Sequence, residues 1–302
     1  MRITNSSLTT NYLRNLSRNL SQMQKYQNQL SSGKEISKPS ENPLLVSKIM
    51  DLRNSIGLNE QYNTNISDTL GWVQTQDGSL DGVTGTLQKI RELMIYGANG
   101  SLAVTDRGAI RDEIVQNIQG LKDTLNTNFD GRYIFGGTET TNAPFEVDAD
   151  NNLIYNGNSD TISRQIAKGV STDLISNGDA IVGSFDIATG ENDLGKLLKN
   201  VITALEAGDT DSLSGDLLKD VDIAIDKILS TRSKIGAIDN RLEASKSRNE
   251  SEKLNLTSLL SQKEDIDIAE KYMEYSVMST VYQASLAAGA KVLQPSLLDY
   301  LR

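Results

Sequence analysis

The distribution of proline is the feature that most constrains how this chain can fold. Its four prolines stand at positions 39, 43, 144 and 295, so residues 44–143 and 145–294 contain none. Because proline inside a helix removes a hydrogen-bond donor and clashes with the preceding turn, such stretches can form long helices. Aromatic residues make up only 5% of the 302 residues. This composition favours long helices with narrow apolar stripes over the compact core of a globular enzyme.

Residues 262–302 contain one such apolar stripe. Its members recur three or four residues apart, which is the spacing of one helix face, and Pro295 ends the pattern. Leu297 and Leu298 follow as an apolar tip. The predicted stripe consists of Ile266, Ala269, Met273, Val277, Val281, Ala284, Ala288 and Val292.

Residues 8–31 carry a matching stripe at the other end of the chain, in a strict alternation of three and four that is typical of a coiled-coil seam. The stripe consists of Leu13, Leu16, Leu20, Met23, Gln27 and Leu30, and only Gln27 is polar. We therefore expect the two ends to meet. Burying one such stripe recovers less free energy than ordering the whole terminal segment costs. We also expect both ends to be loose in the isolated subunit and ordered against neighbouring subunits.

The middle of the chain predicts a helical bundle with a β-rich insertion. Helices are expected from about Leu44 to Tyr96, over 105–125, and from about Asp193 and Asp211 onward. Between Gly131 and about Gly190, turn residues separate short apolar runs that read as strands. The predicted strands are Tyr133–Phe135, Phe145–Val147, Leu153–Tyr155, Thr161–Ile166 and Ile181–Phe185.

These patterns together predict a mainly α fold with three domains. The terminal helical assembly domain takes 1–43 plus 261–302, the helical bundle takes 44–130 plus 191–260, and the β-rich outer domain takes 131–190. Residues 243–253 are polar all round. They are either a solvated stretch of helix or a frayed joint, and the sequence leaves both possibilities open.

The composition argues against a catalytic, metal or cofactor site. The chain has no cysteine and no histidine, which removes thiolate ligands, the commonest general base and the commonest metal ligand. The acidic cluster of Glu264, Asp265 and Asp267 lacks the glycine and the further oxygen ligands of a calcium loop, and it suits the start of a helix. No metal, cofactor or catalytic residue is therefore predicted.

Charge and hydropathy also limit the expected partners. The net charge is −10 and the isoelectric point is about 4.7, with no basic patch dense enough for nucleic acid. No apolar run reaches the length of a membrane span. The N-terminal residues show no apolar core followed by a cleavage site, so no cleaved signal peptide is expected.

Several short motifs resemble the flagellins and hook-associated proteins of bacterial flagella. L-S-S-G-K-E-I at 30–36, followed by K-P-S-E-N-P at 38–43, resembles the end of their first helix. G-R-Y-I-F-G-G at 131–137 is similar to the entry to the outer domain of the hook-associated members. Near the C-terminus, I-D-I-A-E at 266–270 resembles both groups, whereas L-Q-P-S-L-L-D-Y-L at 293–301 resembles the hook-associated form.

The resemblance implies a structural protein of the hook–filament junction. Such a subunit would form a ring with copies of itself, between the first hook-associated protein and flagellin, through paired terminal helices. It would be exported to the extracellular flagellum by the flagellar type III channel, with a chaperone at its C-terminal region. Two alternatives stay open: a filament subunit, that is, flagellin itself, and an exported enzyme such as a cell-wall hydrolase.

Overall fold

A computed structural model describes residues 5–183 and 193–292 of the chain. Its contacts separate two compact units. The first, which we call the terminal unit, is drawn from 1–58 and 252–302, and the second, the bundle unit, is 59–251. The elements in chain order are α1 (Asn5–Ser32), α2 (Pro43–Gly97), α3 (Val104–Leu125), β1 (Asn128–Phe129), β2 (Arg132–Tyr133), β3 (Phe145–Val147), β4 (Leu153–Tyr155), β5 (Ile162–Ala167), β6 (Val170–Leu174), α4 (Asp179–Val182), α5 (Asp193–Ala207), α6 (Thr210–Ser214), α7 (Asp216–Glu264) and α8 (Ile268–Val292).

The long helices follow the proline-free stretches, as the sequence predicted. Helix α2 begins at Pro43, where the fixed φ of proline suits a first helical position, and it continues without a break to Gly97. Helix α7 contains the polar stretch 243–253, which is helical throughout. Its inward-facing positions carry small polar residues, the buried Ser245 and Asn249. The frayed-joint alternative is therefore wrong.

The bundle unit is held together by an apolar core to which α2, α3, α5 and α7 contribute. Leu80, Leu87 and Met94 of α2 are fully buried. Their spacing of seven residues keeps them on one face of the helix. Ion pairs tie α2 to α7: the Arg232 guanidinium lies 3.0 Å from Asp77 and 2.7 Å from Asp81. The helices of this unit are thus joined by core packing and by charge pairs.

The β-rich region is three separate two-stranded antiparallel hairpins, which pair β1 with β2, β3 with β4, and β5 with β6. The predicted strands Phe145–Val147 and Leu153–Tyr155 are confirmed residue for residue. Phe145 pairs with Tyr155 in register, and their ring centroids lie 5.0 Å apart. Both rings are buried and add to the core of the bundle unit.

Other strand predictions need correction. Residues 181 and 182 are in the short helix α4, not in a strand, because the backbone N–H groups of both donate to the carbonyl of Gly178. The remainder of the predicted strand Ile181–Phe185 lies largely outside the described residues. The strand Val170–Leu174 was not predicted. The predicted helix from Asp211 is also broken, since α6 ends before Gly215 and α7 begins after it.

Two buried polar side chains, Gln76 and Tyr155, hold the hairpin region in place. The Gln76 side chain of α2 is 1% exposed, and its Nε2 donates to the carbonyls of Ile134 and Ile175 at 3.1 and 2.8 Å. The Tyr155 hydroxyl accepts the N–H of Gly178 at 2.9 Å and lies 3.0 Å from the Phe135 carbonyl. The insertion therefore belongs to the same compact unit as the bundle. The three-domain division with its predicted boundaries stays a prediction.

Candidate assembly interface

The two chain ends pack against each other as an antiparallel pair of helices, α1 and α8. The Tyr12 hydroxyl donates to the Ser285 carbonyl at 2.8 Å, and Asn19 Nδ2 donates to the Ser285 hydroxyl at 3.3 Å. A Cβ atom added at the buried Gly289 would lie 2.0 Å from the Tyr12 hydroxyl oxygen. Only a glycine lets the tyrosine ring approach the helix backbone this closely.

The opposite end of the pair is held by charge. Lys271 Nζ lies 5.8 Å from the centroid of the Tyr26 ring, 3.1 Å from Glu274 and 3.5 Å from Glu35. Burial lowers the pKa of Lys271, but the hydrogen bond to Glu274 and the charges of Glu35 and Glu274 outweigh it, so its pKa is raised. This lysine therefore stays charged in the contact between the two helices.

A polar joint connects the end of α1 to the break between α7 and α8. The Glu35 N–H donates to the Glu264 carbonyl at 2.7 Å, and the Ile266 N–H donates to the Gly33 carbonyl at 3.2 Å. Gly33 has a φ of +70°, so α1 ends in the left-handed conformation that glycine adopts readily. The carboxylate of Glu264 is almost fully buried here. It accepts hydrogen bonds from Nε and Nη2 of the Arg53 guanidinium, and it lies 3.2 Å from Lys34 Nζ.

The neighbouring acids have structural partners of their own. Asp265 lies 2.7 Å from Lys34 Nζ, and this hydrogen bond, followed by one from Ser261, lowers the pKa of Asp265. Asp267 caps α8 by accepting the N–H groups of Ala269 and Glu270 at 2.9 and 3.3 Å. In the described part of the chain, no group of three potential ligands is placed to hold a metal ion. The acidic cluster thus provides one helix cap and three ion pairs.

The predicted residues of α1 divide between two faces of the helix. Leu16, Met23 and Leu30 are half-buried, whereas Leu13 and Leu20 are exposed. The predicted polar member, Gln27, is also exposed. Tyr12 and Tyr26, which both contact α8, are two heptads apart and so lie on the same face of α1. The face of α1 that meets α8 is therefore shifted by one residue from the predicted stripe, which begins at Leu13.

The predicted stripe of α8 faces away from α1. Exposed members are Ala269, Met273, Val277, Val281, Ala284 and Ala288. Ile266 needs a correction, because it precedes α8 and lies in the joint with its N–H bonded to Gly33. Residues 262–264 likewise belong to α7 and not to the terminal helix. The side chain of Val292, and Leu297 and Leu298 altogether, lie outside the described residues.

Helix α8 is in fact apolar on two opposite sides. Met273, Val277 and Val281 belong to the predicted stripe, and these residues are 65%, 58% and 42% exposed. Ile268, Tyr272 and Leu286 are also exposed, and at 100° per residue they lie on the side opposite to the stripe. A helix with apolar residues on all sides requires neighbours on all sides. Helix α1 covers one face only, so α8 presents an unfilled contact surface on two others.

Sequence reasoning missed the seam that joins the ends. Lys271 and Glu274 lie outside the predicted apolar stripe of α8, yet Lys271 forms an ion pair with Glu35, just after the end of α1, and Glu274 pairs with Lys271. A signal was available: Tyr12, Asn19 and Tyr26 are spaced by seven residues, as are Lys271, Met278 and Ser285. A search for apolar residues alone passes over this polar heptad pattern.

The comparisons with known proteins agree with this arrangement of the chain ends. The family "Bacterial flagellin N-terminal helical region" matches residues 3–140, and the family "Bacterial flagellin C-terminal helical region" matches residues 218–301. The chain belongs to the flagellin family. The two family matches leave residues 141–217 uncovered, and this part of the flagellin-family protein contains hairpins β3–β4 and β5–β6.

Full-length relatives of this flagellin-family protein include both hook-associated proteins and flagellins. It is 27% identical to the flagellar hook-associated protein 3 of Escherichia coli, over 95% of this chain and 96% of the relative. It is 29% identical to the flagellin of Bacillus subtilis, over 97% of each chain. The crystal structure of Bacillus cereus FlgL matches with a TM-score of 0.57 and 25% identity, over 70% of this chain and 99% of that one.

Membership fixes the general role of the protein. As a flagellin-family protein it is a structural component of the extracellular bacterial flagellum and not an enzyme. The predicted fold class, mainly α with a β-rich insertion and paired terminal helices, is confirmed. None of the helices in the described ranges is both long and apolar enough to cross a bilayer.

Proposed function

We propose that this protein is the subunit that joins the hook to the filament, and that α8 makes the contacts between subunits. The observation that carries the proposal is the exposure of apolar side chains on two opposite sides of α8, while α1 covers only part of its circumference. Exposed apolar surface of this extent on a structural protein marks an association site. The likeness to hook-associated protein 3 over nearly the whole of both chains supports the junction in particular.

The seam within the pair contains polar contacts, whereas the outward faces of α8 are apolar. The contacts between α1 and α8 include two hydrogen bonds to Ser285 and the charge cluster at Lys271. Such contacts specify how two helices align but contribute little net free energy. Neighbouring subunits would add stabilisation by covering the exposed apolar residues of α8. That both ends are loose in the isolated subunit stays a prediction, because α1 and α8 are paired helices within the single chain described here.

The proposed partners follow from this arrangement. A ring of copies of this chain would use Leu13 and Leu20 of α1 and the exposed stripe of α8 as its internal contacts. The first hook-associated protein on one side and flagellin on the other would meet the same helices at the two ends of the ring. Before assembly, an export chaperone would cover the C-terminal region, whose apolar side chains need protection from water.

A charge placed on the exposed stripe tests this role. Val277→Asp changes a side chain that is 58% exposed, so the subunit should fold as before but fail to assemble, since a buried unpaired carboxylate costs several kcal/mol. Val104→Asp is the matched control, because Val104 is 75% exposed at the start of α3 in the bundle unit. Both variants are expressed in cells that lack the wild-type protein.

The expected result is secretion of Val277→Asp into the medium without filaments, and normal filaments with Val104→Asp. Filaments of normal length and number from the Val277→Asp cells would refute the role of α8. Electron microscopy of labelled flagella distinguishes the proposed junction role from the alternative role, that of a filament subunit. A single band at the base of the filament supports the junction, whereas continuous decoration shows that the chain is a filament subunit.

A further inference from the structure

The bundle unit contains an open cleft between α2 and two hairpins, which the assembly role does not use. The cleft has a volume of about 570 Å³, within the range of sites that hold small molecules. Residues from α2, from the β1–β2 hairpin and from the β5–β6 hairpin line it. We call this the hairpin cleft; its lining includes Asp68, Trp72, Phe129, Asp130, Arg132 and Arg164.

One part of the lining is apolar and aromatic. Trp72 and Phe129 meet edge to face, with ring centroids 6.1 Å apart and planes at 77°. Ile162 and Leu174 complete this part of the wall. Trp72 is 5% exposed, and its indole N–H is buried without a hydrogen-bond partner in the described structure. An unpaired buried donor is uncommon, and this one belongs to a residue that lines the cleft.

The charged part of the lining holds two cations and two anions that do not pair with each other. Arg132 and Arg164 both line the cleft, as do Asp68 and Asp130. Within the described residues, neither cleft arginine lies within 4.0 Å of either cleft aspartate. The cleft therefore offers separate sites for a negative and a positive group.

The backbone around the cleft is held in a defined shape. Asp130 and Gly131 have φ values of +52° and +74° and form the two-residue turn between β1 and β2, which places Phe129 and Arg132 side by side in register. Asn65 of α2 donates through Nδ2 to the Gln165 carbonyl at 3.0 Å, which fixes the β5–β6 hairpin against α2. A site formed in advance loses less conformational entropy on binding.

We propose that the hairpin cleft binds a small zwitterion with apolar side chains, such as a short apolar peptide. A carboxylate suits the two guanidinium groups, which can bind it through paired N–H donors. An ammonium group suits the aspartates, and the apolar side chains suit the aromatic wall. A dianion would be repelled by the two aspartates, and an acidic sugar would leave them without a cation.

The only tryptophan of the chain lines this cleft, so its fluorescence reports binding directly. Full-length protein is titrated with L-leucyl-L-leucine and, separately, with its N-acetylated and amidated form, which carries neither charge. A saturable change of Trp72 emission with the free dipeptide is expected, with a dissociation constant of roughly 1 mM or below. The capped peptide should bind at least about tenfold more weakly, because both charge-assisted contacts are lost.

Two substitutions test the charge assignment. Arg164→Gln and Asp68→Asn should each weaken binding about tenfold or more, with unchanged circular dichroism. Arg241→Gln is the matched control, since Arg241 is exposed on α7 and does not line the cleft. It should bind as the wild type does.

Four results would each overturn the proposal. The first is no saturable change of Trp72 emission up to about 20 mM dipeptide. The second and third are binding of the capped peptide as tight as that of the free dipeptide, and binding of galacturonate that is tighter than that of the dipeptide. The fourth is a change of Trp72 emission that follows protein concentration in the absence of ligand. The last result would mean that a second copy occupies the cleft. Failure of this proposal leaves the junction role untouched, because the hairpin cleft and α8 belong to different units.

Discussion

Replacing Gly289 by alanine tests the close approach of Tyr12 that aligns the two terminal helices. The change by itself favours the helix by about 1 kcal/mol, because glycine has a low helix propensity. The new Cβ would, however, lie 2.0 Å from the Tyr12 hydroxyl oxygen and 2.2 Å from the adjoining ring carbon. The ring must move away. It then loses its hydrogen bond to Ser285, about 1 kcal/mol, and part of its burial, about 1–2 kcal/mol.

The net expected effect is a loss of about 1–2 kcal/mol in the free energy that pairs α1 with α8. Gly57→Ala is the matched control, since Gly57 lies in α2 of the same unit and a Cβ there meets nothing within 4 Å. That variant should be stabilised by up to about 1 kcal/mol. The same chemical change is therefore expected to act with opposite sign at the two positions.

Amide hydrogen exchange at short labelling times measures the pairing directly. Exchange over residues 5–32 should become about 5- to 30-fold faster in Gly289→Ala, since 1.4 kcal/mol corresponds to a factor of ten. In Gly57→Ala the amides near residue 57 should exchange more slowly. If Gly289→Ala left the exchange of residues 5–32 unchanged or slower, the contact between Tyr12 and Gly289 would not limit the pairing, and the argument would be wrong.

Three further predictions concern the joint and the hairpins. Arg53→Gln should lower the free energy of unfolding of the terminal unit by about 2 kcal/mol, because the buried Glu264 loses a charge-assisted pair; urea unfolding measures this. Acid should loosen the joint. The hydrogen bond from Lys34 lowers the pKa of Asp265 in the folded state below its ordinary value of 3.8, so the ionised carboxylate stabilises the fold above pH 3.8. This stabilisation is lost as the pH falls from 3.8 through the lowered pKa of the folded state. Exchange of the joint amides against pH reports this loss. Gln76→Leu should destabilise the bundle unit by about 2–4 kcal/mol in urea, since two buried carbonyls lose their donor.

Matched controls separate these effects from nonspecific ones. Arg14→Gln and Gln88→Leu change exposed residues of the same types and should alter the free energy of unfolding by less than about 0.5 kcal/mol. Equal effects of Arg53→Gln and Arg14→Gln would contradict the assigned role of Glu264. Equal effects of Gln76→Leu and Gln88→Leu would mean that Gln76 does not anchor the hairpins. An Asp265→Asn variant that keeps the acid response would show that another group causes it.

Much of the helical architecture could be predicted because helix signals are local. The proline-free stretch permitted α2, the strict apolar stripe over residues 8–31 located α1, and the alternation of turns with apolar runs located hairpin β3–β4. The α4 turn was predicted as a strand because a short apolar run fits either state equally well. Its hydrogen bonds to Gly178, which depend on local geometry, decided the outcome.

In the candidate interface, too, local sequence patterns predicted the helices but not the contacts between them. The sequence by itself determined that both ends are helices with apolar stripes, since a spacing of three and four depends only on helix geometry. It could not determine which face meets which, because a helix such as α8 with apolar residues all round has no preferred side. The tertiary structure decided this through Tyr12, Gly289 and Lys271, whose close approach, hydrogen bonding and charge fix one alignment and leave the apolar stripe of α8 facing outward.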